Sequence, residues 1–299
     1  MGIKSFLLNI YDKHYKKLLI LSFLLLFACI AVLIMHKAQT GEFVAKGVSL
    51  KGGLTVTIPV QQADIHALQQ ALSSQFPKAD INVRSMTEAG ELKALIIEAS
   101  DIGEDELVAA VSSQGIPMRQ GEFSIETMGS SLGQSFYRQT IIAVIVAFIF
   151  MSIVVFVTFR NLLPSSFVIL CAVSDILSTI AALDVLGVKL STAGVAALLM
   201  LIGYSVDTDI LLTTKVLKRK EGTIFQRTVG TMRTGMLMSL TAFGAAMAGY
   251  FVTQSDVVKQ IMLVISIGMV FDVVYTWIQN AGILRWYLER KEGEQHGQA

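Results

Sequence analysis

Four carboxylates in this chain sit where a carboxylate is costly. Asp175, Asp207, Asp209 and Asp272 all fall inside strongly apolar stretches. Ionisable groups within membrane-crossing segments are expensive and mark ion, proton or substrate paths. Asp175 and Asp272 lie near the middle of their stretches, and Asp207 and Asp209 lie past the middle of theirs. Asp184 is close to an end and can reach water. No Lys or Arg falls in the middle of any stretch, so these carboxylates have no obvious cation partner in the chain. Desolvation disfavours the charged form of a carboxyl group, so such a group can load and release a proton as its exposure changes. Alternatively, the cation comes from another subunit or from Arg233, at the start of the fifth stretch. Both routes point to coupling with a proton gradient. Plainer readings stand beside them: Asp207 and Asp209 as an interfacial pair solvated by headgroups, Asp175 and Asp272 as hydrogen-bonded packing residues. Positions two apart on a helix are separated by about 200°, so Asp207 and Asp209 cannot face one site.

The elements that must carry these residues are six apolar stretches: Leu18–Met35, Ile141–Phe159, Leu162–Leu186, Leu190–Leu212, Met236–Val252 and Ile261–Leu284. Each meets or approaches the 20 or so residues that a membrane helix needs. The whole chain agrees: 299 residues, 53% hydrophobic and only 16% charged, with a mean hydropathy of +0.61. A soluble domain carries about 25% charge, so an ordinary soluble enzyme is excluded. A net charge of +1 offers no basic field for nucleic acid. Four prolines argue against a disordered chain. Cys29 and Cys171 both lie in apolar stretches and form neither a disulfide framework nor a metal site. The first stretch follows Lys13, Lys16 and Lys17 as a signal peptide would. It is long for that purpose and no small-residue cleavage site follows at 36–40, so it reads as a retained span.

Basic residues set the orientation. Lys4, Lys13, Lys16, Lys17, Arg160, the six Lys and Arg between Lys215 and Arg233, and Arg285, Arg290 and Lys291 fall on one side; the opposite short loops hold only Lys189 and Lys259. Both termini are therefore expected in the cytoplasm. The organisation that follows is a cytoplasmic N-terminus (1–17), a first transmembrane helix (18–35), an external domain (36–139), five further helices within 140–288 with a basic cytoplasmic loop at 213–235, and a cytoplasmic tail (289–299). In that loop Ile224, Val229 and Met232 interleave with Arg227 and Arg233, as in an interfacial helix or a solvated basic loop.

The hydrophilic segment, with 8 basic and 12 acidic residues, alternates in pattern. Val48–Val60 reads as a strand with a Lys51-Gly52-Gly53 turn inside it, and Asp64–Phe76 as a helix with Ile65, Leu68, Leu72 and Phe76 on one face. Ile81–Ser85 and Leu92–Glu98 read as strands joined through Glu88-Ala89-Gly90. Glu104–Ser113 reads as a helix and Glu122–Thr127 as a last strand. The order β-α-β-β-α-β gives a ferredoxin-like α+β domain. The fold class is thus an α-helical polytopic membrane protein with six transmembrane helices and one such domain between helices 1 and 2. Small-xxx-small pairs, Ala193 with Ala197 and Ala245 with Gly249, suit close helix packing. No phosphate-binding Gly-Lys-Ser/Thr motif, zinc-ligand spacing or nucleophile–base signature is present, so no enzyme, metal or cofactor is expected. His14, His36, His66 and His296 are scattered.

The arrangement resembles the SecF family. One span, then an external α/β module opening with Gly47-Val48-Ser49-Leu50-Lys51-Gly52-Gly53, then five clustered spans is that family's layout. The strongest match is Gly203-Tyr204-Ser205-Val206-Asp207-Thr208-Asp209-Ile210-Leu211-Leu212, which looks like the archaeal branch. Gly129-Ser130-Ser131-Leu132-Gly133 before the second span and Arg233-Thr234 before the fifth support it. The resemblance implies a non-enzymatic role in protein export, half of a resistance-nodulation-division architecture, with a SecD-like subunit, the Sec translocation channel and an exported polypeptide as partners. It implies a cell-membrane location and use of the proton-motive force. Bacterial relatives read Asn-Asp-Thr where this chain has Asp207-Thr208-Asp209, so their aspartate aligns with Thr208 and its role does not carry across directly. The proton-coupling candidates are Asp207, then Asp209, with Arg233 as counter-charge and Asp175 and Asp272 in second rank. A small-molecule secondary exporter working as a homo-oligomer, and a scaffold for the channel that is not energy-coupled, share the architecture.

Overall fold

A computed structural model describes residues 3–88, 91–116, 118, 123–218, 221–253 and 255–296. The chain runs α1 (Ile3–Lys13), α2 (Tyr15–Thr40), α3 (Val48–Lys51), β1 (Gly53–Pro59), α4 (Ile65–Gln75), β2 (Asp80–Glu88), β3 (Glu91–Ser100), α5 (Glu104–Ser113) and β4 (Ser124–Met128). It continues through α6 (Ser130–Phe159), α7 (Leu162–Val185), α8 (Thr192–Lys218), α9 (Ile224–Val252), α10 (Asp256–Val274), a π-helical turn (Tyr275–Asn280) and α11 (Ala281–His296). Among the described residues six helices are long and apolar enough to cross a membrane: α2, α6, α7, α8, α9 and the continuous rod α10–α11.

Several helices extend beyond the apolar stretches, and in α9 a side-chain cap lying outside the stretch sets the start. α9 begins at Ile224, where Thr223 Oγ1 accepts from the Gln226 amide (3.2 Å) and Gln226 Oε1 accepts from the Thr223 amide (3.1 Å). This reciprocal cap satisfies two otherwise orphaned donors. The connection expected as a basic loop over 213–235 is therefore mostly helical, since α8 runs through Lys218.

The α/β domain has the expected order of elements. Its four strands are antiparallel in the order β2-β3-β1-β4, the ferredoxin-like arrangement. Alternation puts Leu54, Val56 and Ile58 of β1 and Leu95, Ile97 and Ala99 of β3 on one face. There they pack against Leu68 and Leu72 of α4 and Leu107 and Val111 of α5. The opposite face carries Thr55, Thr57, Arg84 and Glu98, with an Arg84–Glu98 ion pair at 2.5 Å. One element differs from expectation: Val48–Lys51 is a helical turn and the strand starts at Gly53. Gly52 (φ 90°) and Gly53 (φ 141°) let the chain reverse between them, in a backbone region that other residues avoid. Ala89, Gly90 and Glu122, parts of the expected turn and last strand, lie outside the described residues.

In the membrane part, α7, α8 and α10 pack against one another at the centre. At least half of each central span's apolar window is buried, against 6% for α6 and 17% for α9. Glycines set the closest approaches: a Cβ on Gly268 would sit 2.1 Å from Leu201 Cδ2. The domain is held to this bundle by the loop between α7 and α8. Gly47 donates to Leu190 O (2.9 Å) and Leu190 donates to Ala45 O (2.7 Å). Lys189 pairs with Asp80 at 2.5 Å. Gln260 Nε2 donates to Lys189 O at 2.6 Å. Asp184, at the end of α7, accepts from the Ala45 amide (3.1 Å) and so anchors the chain entering the domain.

Candidate functional site

Three of the four carboxylates meet inside the bundle. Asp175 of α7, Asp209 of α8 and Asp272 of α10 are 0%, 0% and 3% exposed, and they are close enough to interact electrostatically. Hydroxyls and amides surround them. Ser205 donates to Asp175 Oδ2. Thr276 donates to Asp272 Oδ1 at 3.2 Å and also lies against Asp209. Asn280 Nδ2 donates to Asp209 Oδ1 at 2.8 Å and reaches Thr213 Oγ1 at 3.5 Å. Gln279 Nε2 donates to Ser174 Oγ, beside Asp175, at 3.3 Å. Ser205 and Ser239 also face Asp272. Among the described residues no Lys, Arg or His pairs with any of the three carboxylates.

The last span is shaped for this cluster. Its π-helical turn buries Tyr275, Thr276, Trp277, Gln279 and Asn280, five of six residues. π-turns are rare and concentrate at functional sites. A carbonyl in the turn, Trp277 O, accepts from the Tyr11 hydroxyl of α1 at 2.6 Å.

Asp207 is elsewhere. It is exposed on α8, on the side away from Asp209, as a separation of about 200° requires. Tyr204 shares that face at 49% exposure, and a Cβ on Gly203 would meet nothing within 4 Å. On neighbouring α9, Arg233 and Thr234 are also exposed, and Gly230 and Gly244 open onto empty space. Counted from the ends of α8 and α9 that share one loop, Asp207 and Arg233 lie about 17 Å and about 14 Å along their helices. They carry opposite charges at similar depth, and no ion pair involves either among the described residues. Ser205, from the same motif, turns inward to Asp175. Gly52 and Gly53 are distant from both faces: a Cβ on Gly52 would lie 2.6 Å from Ser130 Cα, and one on Gly53 2.3 Å from Ala99 O. Of the small-residue pairs, Ala197 is buried and Gly249 packs on Met262, whereas Ala245 is exposed.

The candidates thus separate into a buried site (Asp175, Asp209, Asp272) and two exposed charges on adjacent helices (Asp207, Arg233). Asn280, Gln279, Thr276 and Thr213 escaped the sequence reading. The available signal was Thr276-x-x-Gln279-Asn280 within an apolar span; the π-turn that buries all three has no sequence signature. Among the described residues no group of three or more His, Cys, Asp or Glu has the geometry to hold an ion.

Comparison with known proteins adds an independent line. Residues 111–290 match the family described as protein export membrane protein SecD/SecF, C-terminal. The protein-export membrane protein SecF of Methanothermobacter thermautotrophicus is 40% identical over 257 residues, covering 82% of this chain and 84% of that one. The SecF of Pyrococcus furiosus is 33% identical over 295 residues, covering 98% of each. Among solved structures, SecDF from Thermus thermophilus, described as a translocon-associated membrane protein, superposes with a TM-score of 0.72 at 17% identity. That match covers 93% of this chain but only 38% of the SecDF chain, and it establishes the fold alone.

Proposed function

The chain belongs to the SecF family of protein-export membrane proteins, and on that premise we propose that it works as one half of a proton-driven pair. It is a multi-pass membrane protein with a non-enzymatic part in protein export. In the proposed arrangement a SecD-like subunit covers the exposed face of α8 and α9, and the pair acts beside the Sec translocation channel. It uses the proton-motive force to assist exported polypeptides on the outer side of the cell membrane. The termini lie in the cytoplasm and the α/β domain outside.

The observation that carries this reading is the placement of Asp207 and Arg233. Opposite charges exposed at membrane depth are costly against lipid. Exposed glycines beside them leave room for close helix approach. A second membrane bundle satisfies both conditions. Asp209 then places one member of the buried trio on the inner side of the same helix α8, so that movement at the pairing face reaches the proton-binding cluster through one rigid element.

Purification of the tagged protein from its own membranes in mild detergent tests the pairing. A second six-span chain in stoichiometric amount, with or without channel subunits, is the expected result; a symmetric homo-oligomer even after cross-linking in the membrane overturns it. Export in cells carrying Asp207→Asn with Asp209→Asn tests the coupling. Normal export at normal protein levels removes the proton-driven part.

A further inference from the structure

We propose that Asn280 is a positioning residue for Asp209, holding its carboxyl so that a proton taken up at Oδ2 is shared with the amide oxygen of Asn280. The inference rests on the reading that the buried aspartates serve proton coupling. A side-chain amide and a carboxyl group are two-point partners: the amide N–H donates to one carboxyl oxygen, and the amide oxygen accepts from the other when that one carries a proton. The first half of this pairing is formed, from Asn280 Nδ2 to Asp209 Oδ1 at 2.8 Å. The remaining two atoms, Asp209 Oδ2 and Asn280 Oδ1, are both buried acceptors that make no hydrogen bond, with the Thr276 hydroxyl against Asp209 as the other donor nearby, and both residues are 0% exposed. Orphaned buried polar atoms are rare because each costs the full desolvation of the group. In the proposed pairing one proton on Oδ2 serves both.

The surroundings hold Asn280 to this task. Its amide also reaches Thr213 Oγ1 (3.5 Å) on the next turn of α8, so two residues of one helix fix its orientation. The π-turn buries Asn280 together with its neighbour Gln279, and Tyr11 occupies the Trp277 carbonyl within that turn. The titratable groups around Asp209 are Asp272 of the last span and Asp175 and Cys171 of α7, with Tyr275 and Cys29 beyond Asp175 and Cys171. α9 presents Thr228, Thr231 and Ser239 as its buried polar residues and no buried titratable group. Asn280 is the one amide among the described residues that donates to a buried aspartate of the bundle.

The test uses the full chain in native membranes and a membrane-permeant carbodiimide, which couples to protonated buried carboxyl groups. Mass spectrometry reads the labelling of Asp209, Asp175 and Asp272 separately as pH is varied. The expected result is pH-dependent labelling of Asp209. Its midpoint moves by about one pH unit, a tenfold change in proton affinity, in Asn280→Ala. Asp175, which interacts with Asp209, moves less than Asp209 does. Thr213→Val removes only the second hold on the amide, so its midpoint moves less, which keeps the test open if Asn280→Ala fails to accumulate. An unchanged Asp209 midpoint in both variants, or an Asp209 that never labels in the parent protein, overturns the proposal. If the midpoint moves while Asp209→Asn exports normally, the pairing stands and the coupling reading falls. If Asp209→Asn abolishes export while the midpoints stay fixed, the reverse holds.

Discussion

Gly52 and Gly133 meet backbone to backbone: a Cβ on Gly133 would lie 2.6 Å from the Gly52 amide nitrogen. Two glycine motifs 81 positions apart, one opening the α/β domain and one opening α6, therefore form a single joint. Backbone atoms cannot swing aside as a flexible side chain can. Gly133→Ala is expected to destabilise the protein by about 1–3 kcal/mol, the usual cost of overpacking. Gly52→Ala adds the strain of a φ of 90° to a clash of its own, 2.6 Å from Ser130 Cα at the start of α6. Because the two residues touch, the double variant costs less than the sum of the singles. Thermal unfolding of the purified chain in detergent measures all three.

Asp209 and Asp207 are expected to separate stability from function. Asp209→Ala leaves the buried Asn280 amide without its carboxylate acceptor, a loss of about 1–3 kcal/mol. Asp207→Ala touches an exposed position of the isolated chain and is expected to stay within about 0.5 kcal/mol. Both substitutions lower export in cells. Equal destabilisation by the two, read by thermal unfolding, would contradict the opposite placement of the side chains.

Much of this was legible in the sequence. The spans are long uninterrupted apolar runs, and the domain follows from alternation and helical spacing over 48–127, so both survive errors of a few residues. The opposite facing of Asp207 and Asp209 follows from helical geometry alone. The short helix at Val48–Lys51 was hidden because its four residues suit a strand equally well; contact with α6 decides the matter. Cluster partners were hidden for another reason. Asn280 lies 71 positions from Asp209, and the π-turn that seats it arises from packing against α2, α7 and α8, which periodicity does not report.

Gly235 is expected to tolerate no side chain, because a Cβ there would sit 2.2 Å from Trp277 Cζ2 and 3.3 Å from Thr208 Cγ2. Trp277 is 1% exposed and has little room to retreat. Gly235→Ala should lower stability by about 1–3 kcal/mol and disturb the π-turn that carries Asn280. Trp277→Phe removes the indole atoms in the way, so Gly235→Ala should cost measurably less in that background. Additive losses in the double-variant cycle, read by thermal unfolding, would show that the two residues do not press on each other.

The link between domain and bundle is expected to depend on Gln260 more than on Lys189. The Lys189–Asp80 ion pair is partly exposed, and such pairs contribute about 0.2–1 kcal/mol and weaken with salt. Gln260 donates to Lys189 O at 2.6 Å and accepts from Ser191, tying the α7–α8 loop to α10. Hydrogen exchange at Leu190 and Gly47 should therefore quicken more in Gln260→Ala than in Lys189→Ala, and added salt should quicken it in the parent but not in Lys189→Ala. A parent insensitive to salt would assign the ion pair no part in holding the domain.

The exposed face of α8 and α9 gives the sharpest separation. A Cβ on Gly203 or Gly244 meets nothing within 4 Å in this chain, and both glycines are exposed, so Gly203→Leu and Gly244→Leu are expected to disturb its own packing little. Replacing a helical glycine even favours the helix by up to about 1 kcal/mol. Against a partner bundle, the same leucines fill the space that lets two helices approach closely. Unfolding of the isolated variants should be unchanged or slightly raised in temperature, while recovery of the second chain in mild-detergent purification falls. Partner recovery at the parent level in both variants would move the pairing surface to another side of the bundle.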